Sequence, residues 1–338
     1  MNNPEIIQKI IQQIGLAQEG TIGHEVLYSR PLPEDAQHEF LFFIKPEITH
    51  YDESIDLQAI LTMMFGKLAQ YKLIVKDIKL LGASYLEKFD IISRHYGVIN
   101  ALSRNPHEFL SGEAVEKFKA IYRKTPNEVA MLGSLEFLQQ FPDHNPFSLD
   151  DLWQNSKSEK LAGGTYCTMV TVQGKEIFLI NGFHPRQIIH FTEAGRSIVA
   201  FTLTGDMDWS IARNNFIGKT NPADALPGSL RNELLNQQQA FGLKAVSSSQ
   251  NGFHLSAGPV EGLVELIRYC SDYSTNTIRT TDDFVFGRKL KVLFSEAEIR
   301  QICENHLVTH KGKKISTFDL TEEKNAAVAL ELLKESVF

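Results

Sequence analysis

The run Glu39-Phe40-Leu41-Phe42-Phe43-Ile44 does most to limit what this chain can become. It is too short for a buried helix, rich in phenylalanine and closed by Lys45-Pro46, so it predicts a buried strand. The residues after it extend the pattern. Residues 55 to 71 have helical periodicity, 71 to 81 contain a strand-like apolar stretch, and Tyr85 to Asn100 repeat the helical spacing. A βαβα beginning of this kind implies a mixed α/β chain.

Before that strand, Ile6, Ile7, Ile10, Ile11 and Ile14 recur at helical spacing, interrupted by Glu5, Gln8, Lys9, Gln12 and Gln13. The polar interruptions exclude a membrane span or a signal peptide, and a polar stretch around Arg30-Pro31-Leu32-Pro33 comes next. From Leu102 to about Ala162 the spacing is mostly helical, broken at Pro106, Pro126 and Pro142. Thr165 to Ile180 alternates as a hairpin with Gln173-Gly174 at its turn. Ser197 to Leu203 predicts another buried strand, with helices over Trp209 to Phe216 and Pro259 to Tyr269. Ser295-x-x-Glu298 has the form of a capping box, and a last helix is expected near Glu322 to Leu333.

At 338 residues and 43% hydrophobic composition, the chain has the material for two or three folded units. A net charge of -7 disfavours non-specific nucleic-acid binding, yet leaves room for a small anion held by a few cations. Cys167, Cys270 and Cys303 are too scattered for a disulfide framework or a zinc motif. A reducing, cytoplasmic setting is expected. His310-Lys311-Gly312-Lys313-Lys314 reads as a solvated turn.

The chemistry concentrates in two segments. Lys219-Thr220-Asn221-Pro222-Ala223-Asp224-Ala225-Leu226-Pro227-Gly228-Ser229-Leu230-Arg231 is a Gly/Pro-rich loop with a hydroxyl and a guanidinium, as phosphate binding requires. Asn251-Gly252-Phe253-His254-Leu255-Ser256 frames a histidine with small polar residues. Neutral imidazole is a nucleophile near pH 7, one nitrogen attacking while the other donates a hydrogen bond. The chain repeats the tetrapeptide Asn-Gly-Phe-His at 181 to 184. His184, however, is followed by Pro185-Arg186, without the serine or the later acidic residue, so a structural role is expected, with the rim of a pocket as the alternative.

These segments, with Phe43-Ile44-Lys45-Pro46-Glu47, resemble the nucleoside diphosphate kinase family in the correct order. The resemblance covers about 37 to 104 and 196 to 270. It implies a ferredoxin-like βαββαβ core with an inserted α+β subdomain at 105 to 195, an N-terminal helix and linker at 1 to 36, and a C-terminal extension at 271 to 338. It implies His254 as nucleophile and Glu265, eleven residues on, as the carboxylate holding the ring's other nitrogen. Lys45, Thr220 and Arg231 would clamp phosphate, Asn251 would contact the sugar, and Ser256 would support the histidine loop. His95-Tyr96 matches a family pair, which favours Tyr96 over Tyr85 as the tyrosine near the site. Arg104 faintly echoes a phosphate-clamping arginine, and Arg213 lies beside another.

The resemblance further implies ping-pong transfer between nucleoside triphosphates and diphosphates (ATP/ADP, GTP/GDP), and magnesium carried on their phosphates rather than in a protein cage. A symmetric homo-oligomer is implied as well. Departures qualify it: Leu255-Ser256-Ala257-Gly258 replaces the family's Gly-Ser-Asp-Ser, and about ten extra residues separate Arg231 from His254. The insertion suggests a lid or assembly surface, or else a packing appendage. Two further readings stay open, a nucleotide-binding scaffold with weak turnover and a histidine phosphotransferase with a protein or specialised acceptor.

Overall fold

The computed structural model describes residues 3–31, 37–50, 52 and 54–338, so Leu32-Pro33 of the expected linker lie outside the described residues. Contacts divide it into two units, Met1–Tyr85 with Ala194–Phe338, and Leu86–Glu193. Both mix helix and sheet.

The first unit is built on a five-stranded antiparallel sheet of β1 (His24–Ser29), β2 (His38–Ile44), β3 (Ile74–Gly82), β4 (Ser197–Gly205) and β5 (Phe253–Leu255). Their spatial order is β1-β3-β4-β2-β5. All seven residues of β2 are buried, as its apolar run predicts. Its side chains nevertheless divide by the two-residue period of a strand. Phe40, Phe42 and Ile44 join the main core, formed with Ile10 and Ile14 of helix α1 (Asn3–Gln18) and Ile60, Leu61 and Met64 of α2 (Leu57–Gln70). Burying each such phenylalanine contributes about 1.5–3 kcal/mol. Phe43 lies on the opposite face and stacks on Tyr269 of α4 (Pro259–Cys270).

Local signals set the helix ends. Asp56 caps α2 by accepting from Ala59 N at 2.8 Å, and Pro259 occupies the first turn of α4, where its missing N–H costs nothing. A short α3 (Leu230–Asn236) precedes the approach to β5. Past it, Gly242 takes φ +69 where the chain turns back. Residues 271–338 belong to this unit: Ser295 and Glu298 form the expected capping box, and helix 326–334 ends the fold. Lys311 and Gly312 make the turn of a hairpin between strands 307–310 and 313–316.

The second unit has its own four-stranded sheet, in the order 131–133, 175–180, 165–172, 159–162. The expected hairpin turn at Gln173-Gly174 has φ +51 and +75, the twist a two-residue hairpin favours. One apolar cluster gathers Leu102, Phe118, Met131 and Phe178, and another Phe137, Leu149, Trp153 and Leu179.

Some expectations change. The strand at 24–29 went unforeseen because only Leu27 is buried, leaving almost no alternation to read. The helix expected over Tyr85 to Asn100 is instead three short helices, 83–88, 91–95 and 97–104, with Asp90 in the left-handed region at φ +51. Contacts group residues 86–104 with the segment expected to be inserted, rather than with the core. Trp209 to Phe216 is one short helix, 209–211, running into a π-helical turn at 212–217. Among the described residues, no helix is long and apolar enough to cross a membrane.

Candidate active site

Strand pairing decides where His254 points. In the antiparallel register Phe43 faces His254, so both side chains emerge on the side of the sheet covered by α4. The two rings stack with centroids 4.4 Å apart and planes 19° apart. Glu265, on the second turn of α4 and only 2% exposed, meets the imidazole from that side: His254 Nε2 lies 3.0 Å from its Oε2. The same oxygen accepts the Ser256 hydroxyl at 2.5 Å. Ser256 N donates to Leu41 O at 3.1 Å, tying the loop back to β2. Of the His254 side chain, 18% remains exposed. A carboxylate on Nε2 favours the tautomer that donates there and leaves the lone pair on Nδ1.

Lys45 closes the first strand beside this loop. Its Nζ donates to Asn251 Oδ1 at 2.7 Å, and its backbone N–H to Gly252 O at 2.9 Å. Burial lowers its pKa to about 8; neighbouring Glu47 opposes that shift and Arg231 adds to it. Asn251 is itself buried, its Nδ2 donating to Thr220 O at 3.0 Å and Ser248 O at 3.1 Å. Gly252 N donates to Glu47 Oε1 at 2.8 Å. Gly252 takes φ +76, and a Cβ there would fall 2.5 Å from Leu234 and 2.7 Å from Ile48. Only glycine fits that corner.

The phosphate-clamp candidates divide. Thr220 is exposed, while Arg231 is 5% exposed and donates from Nη1 to Gly218 O at 2.9 Å and from Nη2 to Phe253 O at 2.8 Å. Two of its five donors thus brace the strand that carries His254. Arg213, from the π-helical turn, donates to Leu255 O at 2.9 Å. Tyr96 and Arg104 belong to the second unit. Tyr96 lies edge-on to His184 with centroids 6.3 Å apart, and Arg104 lines a cleft with Leu135, Glu136, Leu138 and Gln139.

His184, the duplicate, starts helix 184–192 and has no exposed surface. Asn100 Oδ1 and Gln187 Oε1 each lie 3.3 Å from its ring nitrogens. Burial pushes its pKa down to about 4; the Gln187 contact opposes this and Arg104 reinforces it.

Four participants escaped the sequence reading. Phe43 was legible as a strand residue but not as the imidazole's stacking partner, which needs the register. Glu47 stood in the quoted motif without a role. Arg213 was noted only for its position near a family arginine, not for its bond to Leu255 O. Glu261 offered one signal, its place four residues before Glu265 on the same face of α4. It accepts from Ala257 N at 3.0 Å, and its pKa is raised to about 8 by burial and then by Glu265, against the Ala257 bond and Arg213.

No family model matches the chain, and no curated protein matches it. Among solved structures it is similar to a nucleoside diphosphate kinase from Encephalitozoon cuniculi, at 13% identity over 69% of this chain and 89% of that one, with a TM-score of 0.34. It is similar also to an NDP kinase from Pyrobaculum aerophilum, at 13% identity over 71% and 98%, with a TM-score of 0.32.

Proposed function

We propose that this chain is a nucleoside diphosphate kinase-like phosphotransferase that carries the terminal phosphoryl group of a nucleoside triphosphate to a nucleoside diphosphate through phospho-His254. One observation carries the reading: a part-exposed imidazole whose Nε2 is held at 3.0 Å by a buried carboxylate, itself held by Ser256. The strand order β3-β4-β2-β5, with α2 and α3 as crossovers, supports a ferredoxin-like βαββαβ core.

Nδ1 attacks the γ-phosphorus. An N–P bond forms, the bridging O–P bond breaks, and its electron pair leaves on the diphosphate oxygen. Charge that develops on the ring is balanced by Glu265. Lys45 offers its ammonium to the phosphates, and the positive charge of Arg231 adds to it. Asn251 holds Lys45 in place and faces the sugar in this reading, with Thr220 at the loop's open side. Magnesium travels on the nucleotide's phosphates and neutralises their charge. A second diphosphate then takes the phosphoryl group from Nδ1 by the same path reversed.

The tie between Lys45 and Asn251, and that between Arg231 and two backbone carbonyls, favour a second reading, a nucleotide-binding protein with weak turnover. Incubation with γ-labelled ATP separates the two. Acid-labile label on the protein that GDP chases into GTP is expected. Tight nucleotide binding without label would leave the second reading standing, and label that GDP cannot remove would point to a different acceptor.

A further inference from the structure

The loop after His254 is fastened at every backbone step by groups outside the histidine-carboxylate pair. Leu255 O accepts from Arg213 Nη1 at 2.9 Å, and Ser256 N donates to Leu41 O at 3.1 Å. Ala257 N donates to Glu261 Oε2 at 3.0 Å, and Ala257 O accepts from Glu323 N at 2.9 Å. Gly258 passes so close to the C-terminal turn that a Cβ on it would lie 2.5 Å from Thr321 O. Glu323 is itself held in the left-handed region at φ +56, and its Oε2 accepts from Asn214 Nδ2 at 3.2 Å. Four parts of the chain, β2, the π-helical turn, α4 and the C-terminal turn, therefore converge on residues 255–258.

Glu261 has no part in the chemistry described above, although it shares a face of α4 with Glu265. An unpaired loop N–H at Ala257 would leave the backbone free to rotate, and the imidazole with it, since Ser256 and His254 depend on the same Glu265 oxygen. We propose that Glu261 is a positioning residue for His254, its carboxyl pinning Ala257 so that the loop presents the imidazole to Glu265, with Arg213 and the turn at Glu323 completing the clamp. Its catalytic consequence rests on the phosphotransfer reading; its structural consequence does not.

The groups facing Glu261 are Glu265 on its own helix, Arg213 from the π-helical turn and Glu322 from the C-terminal turn. Burial first and Glu265 second raise the pKa of Glu261, and Arg213 and the Ala257 bond oppose them.

The test compares E261A, E261D and E261Q with the unaltered chain by ¹⁵N spectroscopy of the His254 ring and by the rate of labelling from γ-labelled ATP. Glutamine keeps an acceptor for Ala257 N; alanine has none, and aspartate is a methylene too short. The expected result is loss of the single Nε2–H tautomer in E261A and E261D. Labelling falls about tenfold at unchanged nucleotide affinity, with most of the rate restored in E261Q. Should E261A not fold, E261D carries the test. A wild-type ring spectrum in both E261A and E261D overturns the proposal even if labelling falls. An altered spectrum in the variants, with no label on the unaltered chain either, upholds the positioning role and overturns phosphotransfer instead.

Discussion

The tetrapeptide Asn-Gly-Phe-His occurs twice, and the two copies fold differently. At 181–184 the asparagine takes the left-handed conformation, φ +52, and the histidine opens a helix with Pro185 behind it. At 251–254 it is Gly252 that takes φ +76, and the histidine sits in a strand. Asn181 spends its side chain locally, accepting from Tyr166 N at 3.0 Å and donating to Gly164 O at 2.9 Å, whereas Asn251 reaches Lys45 and Thr220. One imidazole is sealed against Asn100 and Gln187, while the other shows an edge beside a buried carboxylate. The setting of each histidine follows from the side chains its ring meets, not from the letters before it.

The sharpest way to break this contrast is to remove each histidine in turn. His254→Ala is expected to lower acid-labile labelling by at least about a thousandfold, while His184→Ala keeps the label wherever the protein remains folded; the opposite pattern would move the site to His184. Acid should expose the second difference. His184 has a folded pKa of about 4 against an ordinary 6.5, so its stabilisation is full above pH 6.5 and is lost as pH falls towards 4. That loss amounts to about 3 kcal/mol. Urea unfolding of the second unit at pH 7 and 4.5 should show it, and His184→Gln should lack it.

Next in size is Glu265→Gln, expected to slow labelling of His254 about tenfold to a hundredfold with little change in nucleotide affinity. An equal loss of binding would show that Glu265 shapes the pocket rather than the ring. Gly252→Ala should cost about 2 kcal/mol in thermal unfolding, because a left-handed φ and two close side chains both resist a Cβ. The smallest effect concerns Lys45. Its ammonium loses its proton as pH rises through about 8, so labelling should decline between pH 7 and 9, and Lys45→Arg, which keeps its charge, should flatten that decline.

Much of this was legible because the signals were local. Phe40 to Ile44 announced a buried strand and Gln173-Gly174 a hairpin, while the family resemblance implied Glu265 as a carboxylate on the ring. What the sequence hid was decided by contacts between distant segments. Nothing in Arg231 forecasts that it would spend donors on Gly218 and Phe253, and nothing in Glu261 forecasts Ala257. The break at Asp90 was hidden for a related reason, since its left-handed backbone leaves the apolar spacing on either side intact. Helical spacing also could not tell that residues 86–104 would group with the segment that follows them.

The bond between Ala257 O and Glu323 N has a consequence for the order of events during synthesis. The partners of His254 in β2 emerge from the ribosome some two hundred residues before it, but the turn at Glu323 comes after it by about seventy. A nascent chain can pair its sheet first and acquire the last fastening of the histidine loop only afterwards. The backbone beyond His254 is therefore fixed only after residue 323 has joined the growing polypeptide.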